Sequence, residues 1–132
     1  MSETLSIGEL AKETSVKVVT IRYYEQIGLL AAPERTNGNH RAYNQQHAHR
    51  LRFIRRSRDL GFPVEQIRDL LRLSSEQHES CSEVCEIAQR HLESVEAKLA
   101  DLQRLAFELR RISSICNGEG PMADCRIIEA LK

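Results

Sequence analysis

At 132 residues, 29% charged and 5% aromatic with no Trp, the chain allows one compact domain plus an elongated element, and suits a helical protein with a small core. The formal charge sums to zero, yet residues 1–73 hold twelve Lys/Arg against eight Asp/Glu and residues 74–132 hold seven against eleven; the first part suits a polyanion and the second suits solvent. The polar run from Met1 to Ser6 has no apolar signal core and nothing approaches ~18 consecutive apolar residues, so a soluble cytoplasmic protein without membrane contact is expected, its four cysteines serving as free thiols or metal ligands rather than disulfides.

Ser6 and Glu9 fit a capping box at a helix start, with Ile7, Leu10 and Ala11 facing inward. Thr14 and Ser15 make a polar break, a second helix starts near Val16 and runs to Gln26, and Gly28 supplies its C-terminal turn. Two short helices around a tight break read as helix-turn-helix. On the second, Lys17, Thr20, Arg22, Tyr23 and Tyr24 provide donors and planar groups for a nucleic acid.

Pro33 to Tyr43 reads as a hairpin with its turn at Asn37-Gly38. Arg35 on one side and His40, Arg41 and Tyr43 on the other make a small basic wing, able to form charge-assisted bonds to phosphate. A third helix from Gln45 to Leu60 places Ala48, Leu51, Ile54 and Leu60 on an apolar face beside Arg50, Arg52, Arg55, Arg56 and Arg58. Those arginines outnumber their acidic neighbour Asp59 and read as a phosphate-facing surface. Gly61, Phe62 and Pro63 end that helix and start a fourth, with Val64, Ile67, Leu70 and Leu71 directed to the core. Ser74 to Ser80 is a polar link.

No Pro or Gly interrupts Cys81 to Asn117. Spacings of four and three connect Cys81, Cys85, Ala88, Leu92, Val95, Leu99, Leu102, Ala106, Leu109, Ser113 and Cys116, a heptad seam on one long helix. At ~1.5 Å per residue its ends lie roughly 50 Å apart, so Cys81 and Cys116 of one chain cannot share a ligand. Two copies paired antiparallel would bring Cys81 of one beside Cys116 of the other. Asn117, Gly118, Gly120 and Pro121 form a loop leading to Cys125, and a soft ion could be held by Cys116 and Cys125 of one chain with Cys81 of its partner. A thiol oxidoreductase would want Cys-x-x-Cys on a strand-rich scaffold; neither is present, and no enzyme is expected.

The ordered strings Ile7-Gly8-Glu9-Leu10-Ala11-Lys12, Thr20-Ile21-Arg22-Tyr23-Tyr24-Glu25-Gln26-Ile27-Gly28-Leu29-Leu30, Arg41-Ala42-Tyr43, Phe53-Ile54-Arg55-Arg56 and Leu60-Gly61-Phe62 resemble the MerR family of transcriptional regulators over essentially the whole chain. The resemblance implies a mainly α fold, with a winged helix-turn-helix DNA-binding domain in residues 1–73, a linker and antiparallel dimerisation helix in 74–116, and a metal-binding loop with a short helix in 117–132. It implies a homodimer on double-stranded promoter DNA that distorts the spacer on binding effector, so that RNA polymerase engages both promoter elements. Carried across, DNA contacts fall on Lys17, Thr20, Arg22 and Tyr24 of the recognition helix and on Arg35, His40 and Arg41 of the wing. Arg55 and Arg58 add backbone contacts. His40 departs from the family pattern, which has Tyr or Phe there.

Cys116 and Cys125 resemble the loop cysteines of the metal-sensing branch, and Cys81 matches the helix-start cysteine of its divalent-ion sensors; copper and gold sensors carry Ser there. Three thiolates favour one soft divalent ion per site and two sites per dimer, with cadmium, lead or mercury ahead of zinc because the loop has no His. The function implied is metal-responsive activation of resistance or efflux genes. Cys85, one turn beyond Cys81, reads as a small seam residue or a fourth ligand, while His78 and His91 read as surface or seam residues. The competing reading is a thiol-based redox or electrophile sensor of the same family.

Overall fold

The computed structural model describes residues 4–38 and 40–132 and divides into two compact units, Met1–Cys81 and Ser82–Lys132. In the first, α1 (Ile7–Thr14) and α2 (Val18–Gln26) form the helix-turn-helix. The capping box opens α1: the Ser6 hydroxyl accepts from Glu9 N and the Glu9 carboxylate accepts from Ser6 N, both at 3.1 Å. The break falls later than the sequence suggests, over Ser15, Val16 and Lys17, and α2 starts at Val18 rather than near Val16. Thr14 completes α1, its hydroxyl donating to the Leu10 carbonyl at 2.8 Å, and Ser15 turns the chain at φ 58°. Gly28 takes φ +80° after α2, a left-handed conformation that glycine adopts without steric cost.

The wing pairs β1 (Glu34–Arg35) with β2 (Arg41–Ala42), antiparallel, Arg35 opposite Arg41. Thr36 N donates to the His40 carbonyl at 2.8 Å, so the hairpin closes on a longer connection than the two-residue turn that Asn37-Gly38 favours; Asn39 lies outside the described residues. Leu5 bridges Tyr43 through main-chain bonds of 2.8 and 2.9 Å.

α3 (Gln45–Asp59) begins with a second capping box, Asn44 with His47, and α4 (Val64–Ser74) follows Pro63. Leu10, Ile21, Leu29, Tyr43, Ala48, Leu51, Ile54 and Ile67 are all 0% exposed and form one core with Val16, Tyr24, Leu30 and Leu71. Leu60 does not join it: at 69% exposure it is the cap residue beyond the last turn of α3, where the helical phase no longer carries it inward, and Ser57 occupies the buried position instead.

In the second unit, α5 (Ser82–Ser114) runs for 33 residues. Leu92, Val95, Leu99, Leu102 and Leu109 are each between 43% and 63% exposed, an apolar seam open along a single chain. Neither terminal thiol of the seam lies within the helix, since Cys81 is in the turn before it and Cys116 is beyond its end. The Ser114 hydroxyl donates to the Arg111 carbonyl at 2.7 Å, an alternative to continuing the ladder, and Cys116 N reaches only as far back as the Ser113 carbonyl. A short turn, Met122–Asp124, then leads to α6 (Arg126–Leu131), which contacts α5.

Candidate nucleic-acid interface and metal centre

Lys17 is the exposed N-cap of α2, makes no side-chain capping bond, and is followed by no acid in the first turn. Free amide groups and the positive end of the helix dipole therefore meet a lysine there, an arrangement suited to phosphate. Thr20 is half-buried and Arg22 exposed. Tyr24 corrects the sequence reading: at 8% exposure it belongs to the core, and burial raises its hydroxyl pKa, with the nearby Arg58 charge acting in the opposite direction. The ring on the surface is Tyr23, 49% exposed, accompanied by Val19 at 70%. Sequence reasoning missed Val19, although an apolar residue between Lys17 and Arg22 on a recognition helix suits contact with a thymine methyl.

On the wing, Arg35 and His40 are exposed. Gly38 lets the His40 ring fold over the turn; a Cβ at position 38 would stand 3.2 Å from His40 Cδ2. Arg41 is held inward, with Nη1 donating to Glu25 Oε2 at 2.7 Å. That partner was not foreseen. The available signal was an acid in the last turn of an otherwise basic helix, against the dipole.

The arginines of α3 are more engaged than their number suggested. Arg50 Nε donates to the Leu29 carbonyl at 2.6 Å, Arg55 Nη1 to that of Thr14 at 3.3 Å and Arg58 Nη1 to that of Phe62 at 2.8 Å, while Arg52 pairs with Glu13 at 3.3 Å. Main-chain carbonyls left over at helix ends and turns need donors, and guanidinium supplies several at once. Arg52, Arg55 and Arg56 still line an open cleft beside Ser15, so the positive surface persists there in reduced form.

Cys116 and Cys125 line one cleft at the end of α5, together with Asn117, Gly118 and Asp124. The loop is shaped by Gly118 at φ +76° and Gly120 at φ +94°, and by Asn117 Oδ1 accepting from Glu119 N at 3.0 Å. Gly118 N lies 3.4 Å from Cys116 Sγ as its donor. Cys81 ends the first unit and Cys85 sits on α5, both exposed. Among the described residues no three His, Cys, Asp or Glu side chains gather to hold a metal within one chain, and no disulfide joins the cysteines. Within the second unit, His91 is not among the residues lining the Cys116–Cys125 cleft.

Together these features define a winged helix-turn-helix DNA-binding protein with a long accessory helix. Residues 5–74 match the family described as MerR HTH family regulatory protein, and residues 48–112 match that described as MerR, DNA binding. The chain belongs to the MerR family, a family of transcription regulators rather than enzymes. It is 43% identical to the HTH-type transcriptional regulator HmrR of Sinorhizobium medicae, covering 96% of this chain and 86% of that one. To the heavy metal-dependent transcription regulator 2 of Rhizobium meliloti it is 41% identical, with the same coverage of 96% and 86%. The crystal structure of PbrR691 from Ralstonia metallidurans CH34 in complex with lead(II) superposes with a TM-score of 0.87 at 36% identity, covering 97% of this chain and 99% of that one. Among the described residues no helix is long and apolar enough to cross a membrane.

Proposed function

We propose that the chain is a metal-responsive regulator that binds promoter DNA as a homodimer in the cytoplasm and activates heavy-metal resistance or efflux genes when a soft divalent ion binds. The observation that carries this reading is the meeting of Cys116 and Cys125 on one cleft at the end of α5. Two thiol donors and a main-chain N–H directed at one of them fit a soft cation, and they fall short of the three sulfurs that trigonal coordination needs. Cys81 of an antiparallel partner supplies the third. The open seam of α5 supports pairing, since apolar side chains at heptad spacing gain by mutual burial.

DNA contacts are assigned to Lys17, Thr20, Arg22 and the surface ring of Tyr23 on α2, with Arg35, His40 and Arg41 on the wing and the remaining donors of Arg55 and Arg58 beside them. Lead(II) in the similar PbrR691 structure and the heavy-metal dependence named for the Rhizobium meliloti relative support a soft divalent effector. Cadmium, lead and mercury rank ahead of zinc because the loop has no His. A bound ion would tie the loop of one chain to the start of the partner's α5. It acts through its differential affinity for the repressing and activating conformations, and activation proceeds by distorting the spacer so that RNA polymerase engages.

The test is promoter activation in the presence of cadmium, lead, mercury, zinc or copper, comparing wild type with Cys81→Ser, Cys116→Ser and Cys125→Ser. Each variant should bind DNA and fail to respond; a normal metal response in all three refutes the site. Exposure of Cys81, Cys85 and Cys116 favours one rival, thiol-based sensing of oxidants or electrophiles, which a response to peroxide or aldehyde in excess chelator would support.

A further inference from the structure

The wing and the recognition helix are joined through one carboxylate. Glu25 lies in the last turn of α2, where the helix dipole disfavours an anion and where a surface meant for phosphate gains nothing from negative charge. Its side chain is nevertheless only 11% exposed. Oε2 accepts from Arg41 Nη1 at 2.7 Å, and Oε1 accepts from the Tyr43 hydroxyl in a short hydrogen bond. Arg41 Nη1 also lies 3.5 Å from the Tyr43 hydroxyl, and Tyr43 is itself 0% exposed and tied through its main chain to Leu5. The carboxylate therefore links α2, the outgoing wing strand and the strand-like segment before α1.

Arg41 keeps donors in reserve. Guanidinium carries five N–H groups, and among the described residues only Nη1 is engaged, while the side chain is 36% exposed. Nε and Nη2 are left to meet an acceptor from outside.

We propose that Glu25 is a positioning residue for DNA recognition: it holds Arg41 so that the unengaged edge of the guanidinium meets a backbone phosphate while α2 lies in the groove. The inference rests on the DNA-binding function proposed above. It predicts a sign opposite to simple electrostatics. A carboxylate that merely stands near phosphates repels them, and neutralising it tightens binding. A carboxylate that orients an arginine does the reverse, because the freed side chain must be ordered at the moment of binding.

The experiment measures fluorescence anisotropy of the full-length protein on the duplex that wild type itself enriches from a randomised pool, using Glu25→Gln, Arg41→Ala, the double variant and Glu25→Asp. Glu25→Gln should weaken binding about tenfold, within the range of coupled pairs. Arg41→Ala should weaken it and lower the salt slope by about one. The double variant should bind no worse than Arg41→Ala alone, and Glu25→Asp should recover most of the loss. Equal or tighter binding by Glu25→Gln, or additive losses in the double variant, overturns the inference while leaving the DNA-binding function intact. Failure of wild type to enrich any duplex overturns both. If Glu25→Gln melts below the assay temperature, Tyr43→Phe, which removes only the hydroxyl anchor, carries the test: about threefold weaker binding, of the size of one lost hydrogen bond, is expected, and unchanged affinity overturns the inference.

Discussion

Arg50 on α3 donates from Nε to the main-chain carbonyl of Leu29 at 2.6 Å, fixing the segment that follows the recognition helix. Arg68 on α4 does the same for Ile27 at 2.9 Å, so two helices satisfy the carbonyls just past α2. Replacing either arginine by Ala leaves a carbonyl short of a partner and should cost about 1–2 kcal/mol. Denaturant unfolding should show a lower midpoint with an unchanged slope. No loss of stability in either variant would mean that water replaces these bonds without penalty.

Adjacent tyrosines on α2 have opposite surroundings, Tyr23 at 49% exposure and Tyr24 at 8%. Tyr24→Ala should destabilise the domain by about 3 kcal/mol, the lower end for truncating a buried aromatic ring. Tyr23→Ala should leave the melting temperature within about 1 °C, a surface-scale change, and weaken DNA binding measurably. Reversal of the two effects would place the wrong ring toward the groove.

The helix cap predicts a pH dependence. The Ser6 main-chain N–H, and after it the Ser6 hydroxyl, hold the Glu9 carboxyl below its ordinary value. A folded-state pKa below the unfolded one contributes stability above the unfolded pKa, and that contribution is lost as pH falls through the folded value. Glu9→Gln should therefore be less stable than wild type near neutral pH and should converge with it in acid. Ser6→Ala should cost about 1 kcal/mol at neutral pH. Thermal melts from pH 7 to pH 3 check both; a Glu9→Gln deficit that persists undiminished in acid would contradict the charged cap.

Most of the fold was legible because local rules agreed with one another. The Ser6–Glu9 box, the apolar spacing of Leu51 and Ile54, the stop at Pro63 and the glycines after α5 each signal one structure, and each is found. The family carries the same legibility, since its motifs are spread over the chain. Misreadings arose where the outcome depends on tertiary partners. Tyr23 and Tyr24 are neighbours on a helix of nine residues, too short for periodicity to say which ring faces the core. The bonds from Arg50 and Arg55 to carbonyls 21 and 41 residues away leave no trace in composition. The Glu25–Arg41 pair joins a helix to a hairpin across 16 residues. Heptad spacing carried the long helix through Cys116, whereas serine side-chain bonding near its end stops it at Ser114.

The most direct test mixes protomers. If Cys116 and Cys125 of one chain hold an ion with Cys81 of its partner, Cys81→Ser and Cys116→Ser/Cys125→Ser homodimers should each fail to bind cadmium with three thiolates. A purified heterodimer of the two variants should recover one intact site, read as one cadmium per dimer by thiolate-to-metal absorbance, against two per wild-type dimer. No recovery in the heterodimer, or full binding by either variant homodimer, would contradict a site shared between chains.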